Sequence, residues 1–230
     1  MPFAATDDGL KIYYEQRGSG SAVLLSHGFR ASSAMWQNQM EALSDRYRVI
    51  AWDMRGHGRS DSPDDAGAYS FESAVADMAA VLRECGAHRA AIGGLSLGGL
   101  LSLAFHAAYP EKTAALLLFD TGPGQRRART AASIDGWPPG FAHTRRKILD
   151  GANDRIVTLL DSIEVPTLIL CGELDQRFLA ASDLLAEHIP GAEKVILQGA
   201  GHVSNLDQPE IFNSAVRSFL DRLPSWSTEG

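Results

Sequence analysis

Short apolar runs alternate along the chain with longer segments in which apolar residues recur every three or four positions. Short runs rich in β-branched residues are typical of buried strands, whereas the longer periodic segments are typical of amphipathic helices. The runs predict strands at residues 11–16, 23–26, 47–52, 90–93, 114–119, 167–171 and 194–197. The periodic segments predict helices at residues 35–44, 71–85, 99–109, 179–188 and 209–222.

The order of these elements indicates the class of the fold. A hairpin that turns at Asp7-Asp8-Gly9 opens the chain, with residues 11–16 as its second strand. Strands and helices then alternate, and this alternation requires right-handed crossovers between parallel strands. The sequence therefore predicts an α/β fold whose parallel strands end at one common edge of the sheet.

The segment Gly94-Leu95-Ser96-Leu97-Gly98 joins a predicted strand to a predicted helix. A G-x-S-x-G sequence in this position is typical of a nucleophile elbow, a sharp turn that presents one serine. The serine in such a turn has a strained backbone, and a Cβ atom two residues before or after it would collide with the adjoining strand or helix. The pentapeptide also occurs by chance, so the interpretation depends on the residues that follow.

Candidates for an acid and a base follow the elbow in the order serine, acid, histidine that this turn requires. One apolar run ends in Gly172-Glu173-Leu174-Asp175, and the next ends in Gln198-Gly199-Ala200-Gly201-His202. Both turns lie just beyond a strand, where open α/β sheets carry their chemistry. We therefore predict that Ser96, Asp175 and His202 form a catalytic triad.

Other residues at the same edge offer alternatives. Asp120 directly follows the predicted strand 114–119 and is a rival for the acid, although its turn lacks the glycine that precedes Asp175. His27 and His57 lie in glycine-containing turns, where we expect each imidazole to brace a loop rather than act as the base.

An oxyanion site is predicted where the strand 23–26 runs into His27-Gly28-Phe29. Gly28 lets the backbone bend so that the next amide points inward. The amides of Phe29 and Leu97 would then hold the oxygen that becomes negative in a tetrahedral intermediate. Leu97 would begin a helix, where amides are unpaired and the helix dipole favours negative charge.

Taken together, these motifs resemble the α/β-hydrolase family. The segments that carry the resemblance are His27-Gly28-Phe29, the loop W-D-M-R-G-H-G-R-S at 52–60, the elbow at 94–99, Gly172-Glu173-Leu174-Asp175 and Gly199-Ala200-Gly201-His202. The resemblance implies an eight-stranded, mostly parallel sheet with helices on both faces, and it implies no required cofactor or metal. Within the family, the chain is most similar to small esterases, enol-lactone hydrolases and cofactor-free haloperoxidases.

The chain departs from the family pattern in the segment that many relatives use for a helical cap. Only residues 123–162 are available for it, and part of them is expected to form a returning helix at 154–160. Gly136-Trp137-Pro138-Pro139-Gly140 interrupts any helix in the middle of the segment. We therefore predict a reduced cap over an open, shallow site, or a site closed by a second subunit of a homodimer.

Basic residues in this segment allow two interpretations. They could form a basic entrance to the site for acidic substrates, or they could lie on solvated helix faces, which is more usual. They are Arg126, Arg127, Arg129, Arg145, Arg146 and Lys147.

Bulk properties narrow the function classes. With 230 residues and a net charge of −7, the chain is expected to form one domain, 1–230, that binds neither nucleic acid nor an anionic membrane. It shows no secretory leader and no apolar run of about eighteen residues, so we expect a cytoplasmic protein.

These observations favour a serine hydrolase that cleaves a carboxylic ester or lactone of a small molecule through an acyl-enzyme. A serine at the elbow excludes the alkyl-ester chemistry of the relatives that carry an aspartate there. A carbon–carbon bond hydrolase, a cofactor-free haloperoxidase or perhydrolase, and a non-catalytic ligand receptor remain as alternatives.

Overall fold

Eight strands form one sheet in the computed structural model, which describes residues 2–124, 136–150 and 154–226. They are β1 (Phe3–Ala5), β2 (Lys11–Arg17), β3 (Ala22–Ser26), β4 (Arg48–Trp52), β5 (Ala90–Leu95), β6 (Thr113–Phe119), β7 (Thr167–Gly172) and β8 (Glu193–Leu197). Their order across the sheet is β1-β2-β4-β3-β5-β6-β7-β8. β2 pairs antiparallel with β1 and β4, and all other pairs are parallel, which confirms the predicted mostly parallel, eight-stranded sheet.

Helices cover both faces of the sheet, as expected. The helices are α1 (Gln37–Leu43), α2 (Phe71–Glu84), α3 (Leu97–Ala108), α4 (Pro139–Thr144), α5 (Asp154–Leu159), α6 (Leu179–His188), α7 (Ser204–Asp207) and α8 (Pro209–Leu220). Buried residues of α2, α3, α5 and α6 join one hydrophobic cluster, and those of α1 and α8 join another.

Successive residues of the central strands enter opposite clusters. Leu24 of β3 packs in the cluster under α2 and α3, while Val23 and Leu25 pack in the cluster under α1 and α8. Because side chains alternate across a strand, a strand covered on both faces must be apolar at every position. This requirement explains why the strands appear in the sequence as continuous apolar runs.

The boundaries of several elements differ from the prediction by one or two residues. The helix predicted at 35–44 begins as a 3₁₀ turn at Ser33–Trp36 and becomes α-helical only in α1. The helix predicted to begin at Gly99 begins at Leu97, directly after the elbow serine. The four-residue helix α7 was not predicted, because such a short segment has no measurable periodicity.

The sheet changes winding direction between β3 and β5. From β3 the chain crosses to β4 on one side and then returns to β5 on the other side of β3. Ser26, the last residue of β3, stands opposite Gly94 in β5. The loops that leave these neighbouring strands therefore diverge, and an open α/β sheet has its ligand crevice at such a switch point.

Part of the predicted cap is described. α4 begins at Pro139, which suits the first turn of a helix because proline lacks the amide that would be unpaired there. A π-helical turn, Arg145–Leu149, follows it, and α5 returns the chain to the sheet close to the predicted 154–160. Arg126, Arg127 and Arg129 lie outside the described residues. Within the described ranges, no helix combines the length and apolarity needed to cross a bilayer.

Candidate active site

Ser96 occupies the sharp turn between β5 and α3. Its backbone has a φ of 56° and a ψ of −112°, a conformation that L-residues rarely adopt. The turn is held from both sides, because the Ser96 amide donates to the Phe119 carbonyl at 2.9 Å and the Leu100 amide donates to the Ser96 carbonyl at 3.1 Å. The surrounding strand and helix thus stabilise a strained residue at the edge of the sheet.

The two glycines of the elbow are needed because β3 lies directly against it. A Cβ atom at Gly98 would lie 2.1 Å from the carbonyl oxygen of Ser26, and one at Gly94 would lie 2.6 Å from the same oxygen. Neither position can hold a larger residue unless the backbone moves. The steric explanation predicted from the pentapeptide is therefore correct for this chain.

His202 and Asp175 meet at the ends of β8 and β7. The Nδ1 atom of His202 lies 2.7 Å from Oδ2 of Asp175, whose side chain is buried. The imidazole also stacks on the ring of Phe178, with centroids 4.9 Å apart and planes at 15°. Since a carboxylate can only accept, Nδ1 is the donor in this bond, and Nε2 is the acceptor of the neutral imidazole.

Ser96 and His202 line one cavity of about 480 Å³ at this edge of the sheet. Its walls come from the loop after β3, the elbow, residues 121–124 after β6, the cap segment and the turn after β7. The predicted nucleophile and base, which stand more than a hundred positions apart in the sequence, thus share one chamber. Asp175 lies behind the histidine and does not line the cavity.

The two predicted oxyanion amides belong to residues that line the same cavity. Phe29 follows Gly28 in the loop after β3, and Leu97 is the first residue of α3. Across residues 2–124, 136–150 and 154–226, neither amide donates to another protein group. Two unpaired donors on residues that share a cavity with the serine are what a developing oxyanion requires.

His27 fixes the peptide that carries one of these amides. Its Nδ1 lies 2.7 Å from the carbonyl oxygen of Gly28, and its Nε2 accepts from the Met54 amide at 3.0 Å. Because Nε2 accepts, Nδ1 carries the proton and donates to the Gly28 carbonyl. That carbonyl and the Phe29 amide belong to one trans peptide and point in opposite directions. Holding the carbonyl therefore sets the direction of the amide.

His27 and His57 are both buried and lie outside the cavity lining. Burial lowers the pKa of His27 to about 4, and burial with the neighbouring His27 lowers that of His57 to about 3. Both imidazoles are therefore neutral at physiological pH. Their contacts support the expected role as loop braces.

Asp120, the rival acid, has its hydrogen bonds with groups other than the histidine ring. Its Oδ1 accepts from the Gly172 amide at 2.8 Å, and its Oδ2 accepts from the hydroxyl of Ser204. Burial raises the pKa of Asp120 to about 6. Asp120 thus links the end of β7 to the beginning of α7, two residues beyond His202, and the geometry favours Asp175 as the partner of the imidazole.

Asp120, Cys171 and Asp175 form the one group of potential metal ligands found in the described part of the chain, with ligand atoms within 4.8 Å of one another. Hydrogen bonds already occupy both oxygens of Asp120 and one oxygen of Asp175. Burial raises the pKa of the Cys171 thiol to about 12, so it stays protonated. This donor set does not favour a metal ion.

Two arginines in the cavity wall complete the site. Arg145 belongs to the basic cluster considered above, and its guanidinium pairs with Asp150 at 2.9 Å. Arg177 lies two residues after Asp175 and was not singled out from the sequence. Its place in the turn at the carboxyl end of β7 is the signal that could have identified it.

Comparisons with known proteins agree with this architecture. The model of the alpha/beta hydrolase fold family matches residues 21–150, more than half of the chain. The 3-oxoadipate enol-lactonase 2 of Acinetobacter baylyi (strain ATCC 33305 / BD413 / ADP1) is 27% identical, in an alignment covering 87% of this chain and 89% of the lactonase.

Two solved structures are similar over nearly the full chain. A thermophilic esterase from Thermogutta terrifontis gives a TM-score of 0.85 at 25% identity and covers 96% of this chain and 97% of its own. The enol-lactonase from Burkholderia xenovorans LB400 gives 0.83 at 25% identity and covers 96% of this chain and 100% of its own.

Proposed function

The chain belongs to the alpha/beta hydrolase fold family, and on that premise we propose that it is a serine hydrolase acting on a carboxylic ester or lactone of a small molecule. Ser96 is the nucleophile, His202 the base and Asp175 the acid. The amides of Phe29 and Leu97 form the oxyanion hole, and the reaction needs no cofactor. The chain 1–230 acts as one catalytic domain with a cap limited to residues 123–162.

One observation carries the proposal. The cavity that holds Ser96 and His202 also holds the residues of two unpaired amides, while Asp175 hydrogen-bonds the far side of the imidazole at 2.7 Å. A nucleophile, an oriented base and preorganised donors are the three parts that acyl transfer requires. A ligand receptor needs none of them in this order.

The first half of the reaction forms an acyl-enzyme. Nε2 of His202 takes the proton of the Ser96 hydroxyl as its oxygen attacks the ester carbonyl. The carbonyl oxygen becomes negative and accepts hydrogen bonds from the Phe29 and Leu97 amides. Asp175 stabilises the imidazolium, which then protonates the departing alcohol.

The second half of the reaction releases the acid. Water enters the place of the alcohol, gives a proton to Nε2 of His202 and attacks the acyl carbonyl. The tetrahedral intermediate uses the same two amides. Its collapse returns the proton to Ser96 and frees the carboxylic acid, and in a lactone the alcohol and the acid leave as one molecule.

The relatives support the choice of substrate class. The two similar lactonases and the similar esterase cleave acyl–oxygen bonds according to their names. Esters and lactones need the same nucleophile and oxyanion donors, so one site suits both. A cavity of about 480 Å³ has the size of a small-molecule site.

Hydrolysis of p-nitrophenyl acetate, butyrate and octanoate, together with small lactones, tests the proposal. We expect Ser96→Ala to lower kcat/KM by about 10⁴-fold or more, because the acyl-enzyme cannot form. Ser218→Ala, an exposed serine on α8, is the matched control and should match the wild type. A fluorophosphonate probe should label the wild type and this control but not Ser96→Ala.

Residual activity of Ser96→Ala within about tenfold of the wild type would overturn the nucleophile assignment. Absence of serine-dependent turnover on all of these substrates, together with labelling at Ser96, would favour the carbon–carbon hydrolase. Absence of labelling as well would favour the receptor.

A further inference from the structure

The described part of the cavity wall has more positive than negative charge. Among the described residues, the permanently charged ones that line it are Arg145, Arg177 and Asp150. Asp150 is paired with Arg145 at 2.9 Å. Arg177 is exposed, and among the described residues no carboxylate lies within ion-pair distance of it, so this residue of the cavity wall has no described counter-ion.

This local excess opposes the charge of the whole protein. The chain carries a net charge of −7, so its general field repels anions. A cavity with an uncompensated guanidinium is therefore a specific feature of the site and not a consequence of a basic surface. Guanidinium groups bind carboxylates through two parallel hydrogen bonds, with a geometry that an ammonium group cannot match.

Arg177 has a fixed position relative to the reacting residues. It follows Asp175 by two residues and precedes Phe178, whose ring stacks on His202. The turn is held by the Phe178 amide, which donates to the Asp175 carbonyl at 2.9 Å. The backbone of Arg177 is thus anchored at both ends, and a group bound to its side chain would lie in the chamber that contains Ser96.

The lining also includes several apolar residues. Phe29, Met35, Leu100 and Leu149 contribute side chains to the same walls. A substrate that suits this lining has a short apolar body and one anionic group. A planar carboxylate is the anion that best matches the paired N–H groups of a single guanidinium.

We propose that Arg177 binds a carboxylate of the substrate, so that this enzyme prefers esters or lactones of molecules that carry a second, free carboxylate. This inference rests on the proposed function, since it names the substrate class of that site. Arg145, held by Asp150, adds a second positive charge to the wall without being the main ligand. Arg177 is a specificity residue and takes no part in proton transfer.

The test compares matched substrates with and without the anion. In the first pair the anion is on the acyl half of the ester. The pair consists of mono-p-nitrophenyl adipate and the analogue in which a methyl ketone replaces the free carboxylate. The other pair carries it on the alcohol half, 3-acetoxybenzoate and 3-acetoxyacetophenone. For each pair, the ratio of kcat/KM for the anionic to the neutral ester is measured in the wild type and in Arg177→Gln.

We expect Arg177→Gln to lower this ratio by about tenfold for at least one pair, as the loss of one charge-assisted interaction predicts. The substitution should raise KM of the anionic ester and leave kcat/KM of the neutral ester nearly unchanged. Arg146→Gln is the matched control, because Arg146 is exposed and lies outside the cavity lining. It removes the same charge and should leave the ratio within about twofold.

Equal ratios in the wild type, Arg177→Gln and Arg146→Gln for both pairs would overturn the inference while leaving the hydrolase intact. If turnover of both pairs proves independent of Ser96, the proposed function fails instead. A measurement of carboxylate binding then still tests whether Arg177 binds an anion. Adipate should then raise the Tm of the wild type but not that of Arg177→Gln. Equal shifts, or no shift in either protein, would overturn the inference.

Discussion

The carboxyl edge of the sheet and the cap segment contribute to the same cavity in different ways. At the edge, turns after β3, β5, β7 and β8 present Phe29, Ser96, Asp175 and His202, and backbone geometry fixes each of them. In the cap, the π-helical turn Arg145–Leu149 contributes side chains to the wall but no donor or acceptor to the proposed proton transfers.

The proposed reacting groups and the side chains that select the substrate are thus held in different ways. Turns that end buried strands cannot shift without moving the sheet, so the groups they hold stay within the tolerance that catalysis needs. Side chains on a short helical segment can change without disturbing the core. We therefore expect substitutions of the proposed reacting groups at the edge to lower turnover of every substrate. Substitutions of side chains that only line the wall, in the cap or at Arg177, should change KM and substrate preference.

The largest effect is expected at the acid. Asp175→Asn should lower kcat by about 10⁴-fold on any ester, because an amide that donates to Nδ1 leaves the imidazole in the wrong tautomer. Steady-state kinetics with p-nitrophenyl butyrate measure the loss. Asp120→Asn is the control, and a severe loss there combined with a mild loss in Asp175→Asn would assign the acid to the end of β6.

Asp120 should affect stability more than chemistry. Burial raises its pKa from 3.8 to about 6, so the folded protein favours the protonated carboxyl. The resulting stabilisation is present below about pH 4 and is lost as pH rises through about 6, a change of roughly 3 kcal/mol. Asp120→Asn lacks this titration, and kcat should fall less than about tenfold because the triad is intact.

Urea unfolding of the wild type and Asp120→Asn near pH 4 and pH 7 tests this expectation. The free energy of unfolding of the variant relative to the wild type should increase by about 2–3 kcal/mol between these conditions. Asp77, whose pKa burial also raises to about 6, is present in both proteins and cancels. If the free energies of unfolding of the two proteins changed in parallel with pH, ionisation of Asp120 would not destabilise the folded protein, and the prediction would be wrong.

The smallest effect is expected in the cap. Leu149→Ala removes apolar surface from the cavity wall, and KM for p-nitrophenyl butyrate should rise about three- to fivefold with kcat nearly unchanged, since roughly 1 kcal/mol of contact is lost. Val157→Ala, on α5 and outside the wall, should match the wild type. A drop in kcat that exceeds the rise in KM would show that the cap also positions the reacting groups.

The fold was largely predictable because its strands are buried on both faces. β6 and β7 are apolar at almost every position, so their runs stand out from the helices that separate them. The strand order was not predictable from these runs. Which strands become neighbours depends on long-range packing, and the winding reversal between β3 and β5 has no local signal in either strand.

The residues of the candidate site divide in the same manner. Ser96, Asp175, His202, Phe29 and Leu97 could be selected from the sequence alone, because each stands in a turn whose glycines and flanking strand are local features. The choice between Asp175 and Asp120 required the hydrogen bond from His202, which joins residues 27 positions apart. The bracing role of His27 likewise depends on its bond to the Met54 amide, on a different loop.

The class of the fold, the elbow motif and the order of the proposed reacting residues follow from the sequence alone, because periodicity, glycine turns and strand ends are encoded within short stretches of chain. Tertiary packing determines which charged residues line the cavity. The position of Arg177 near Asp175 does not by itself show that it lines a cavity, and Arg145 is one of several basic residues in its segment. The wall of the cavity is formed by loops that are distant in the sequence, and these come together only when the loops pack.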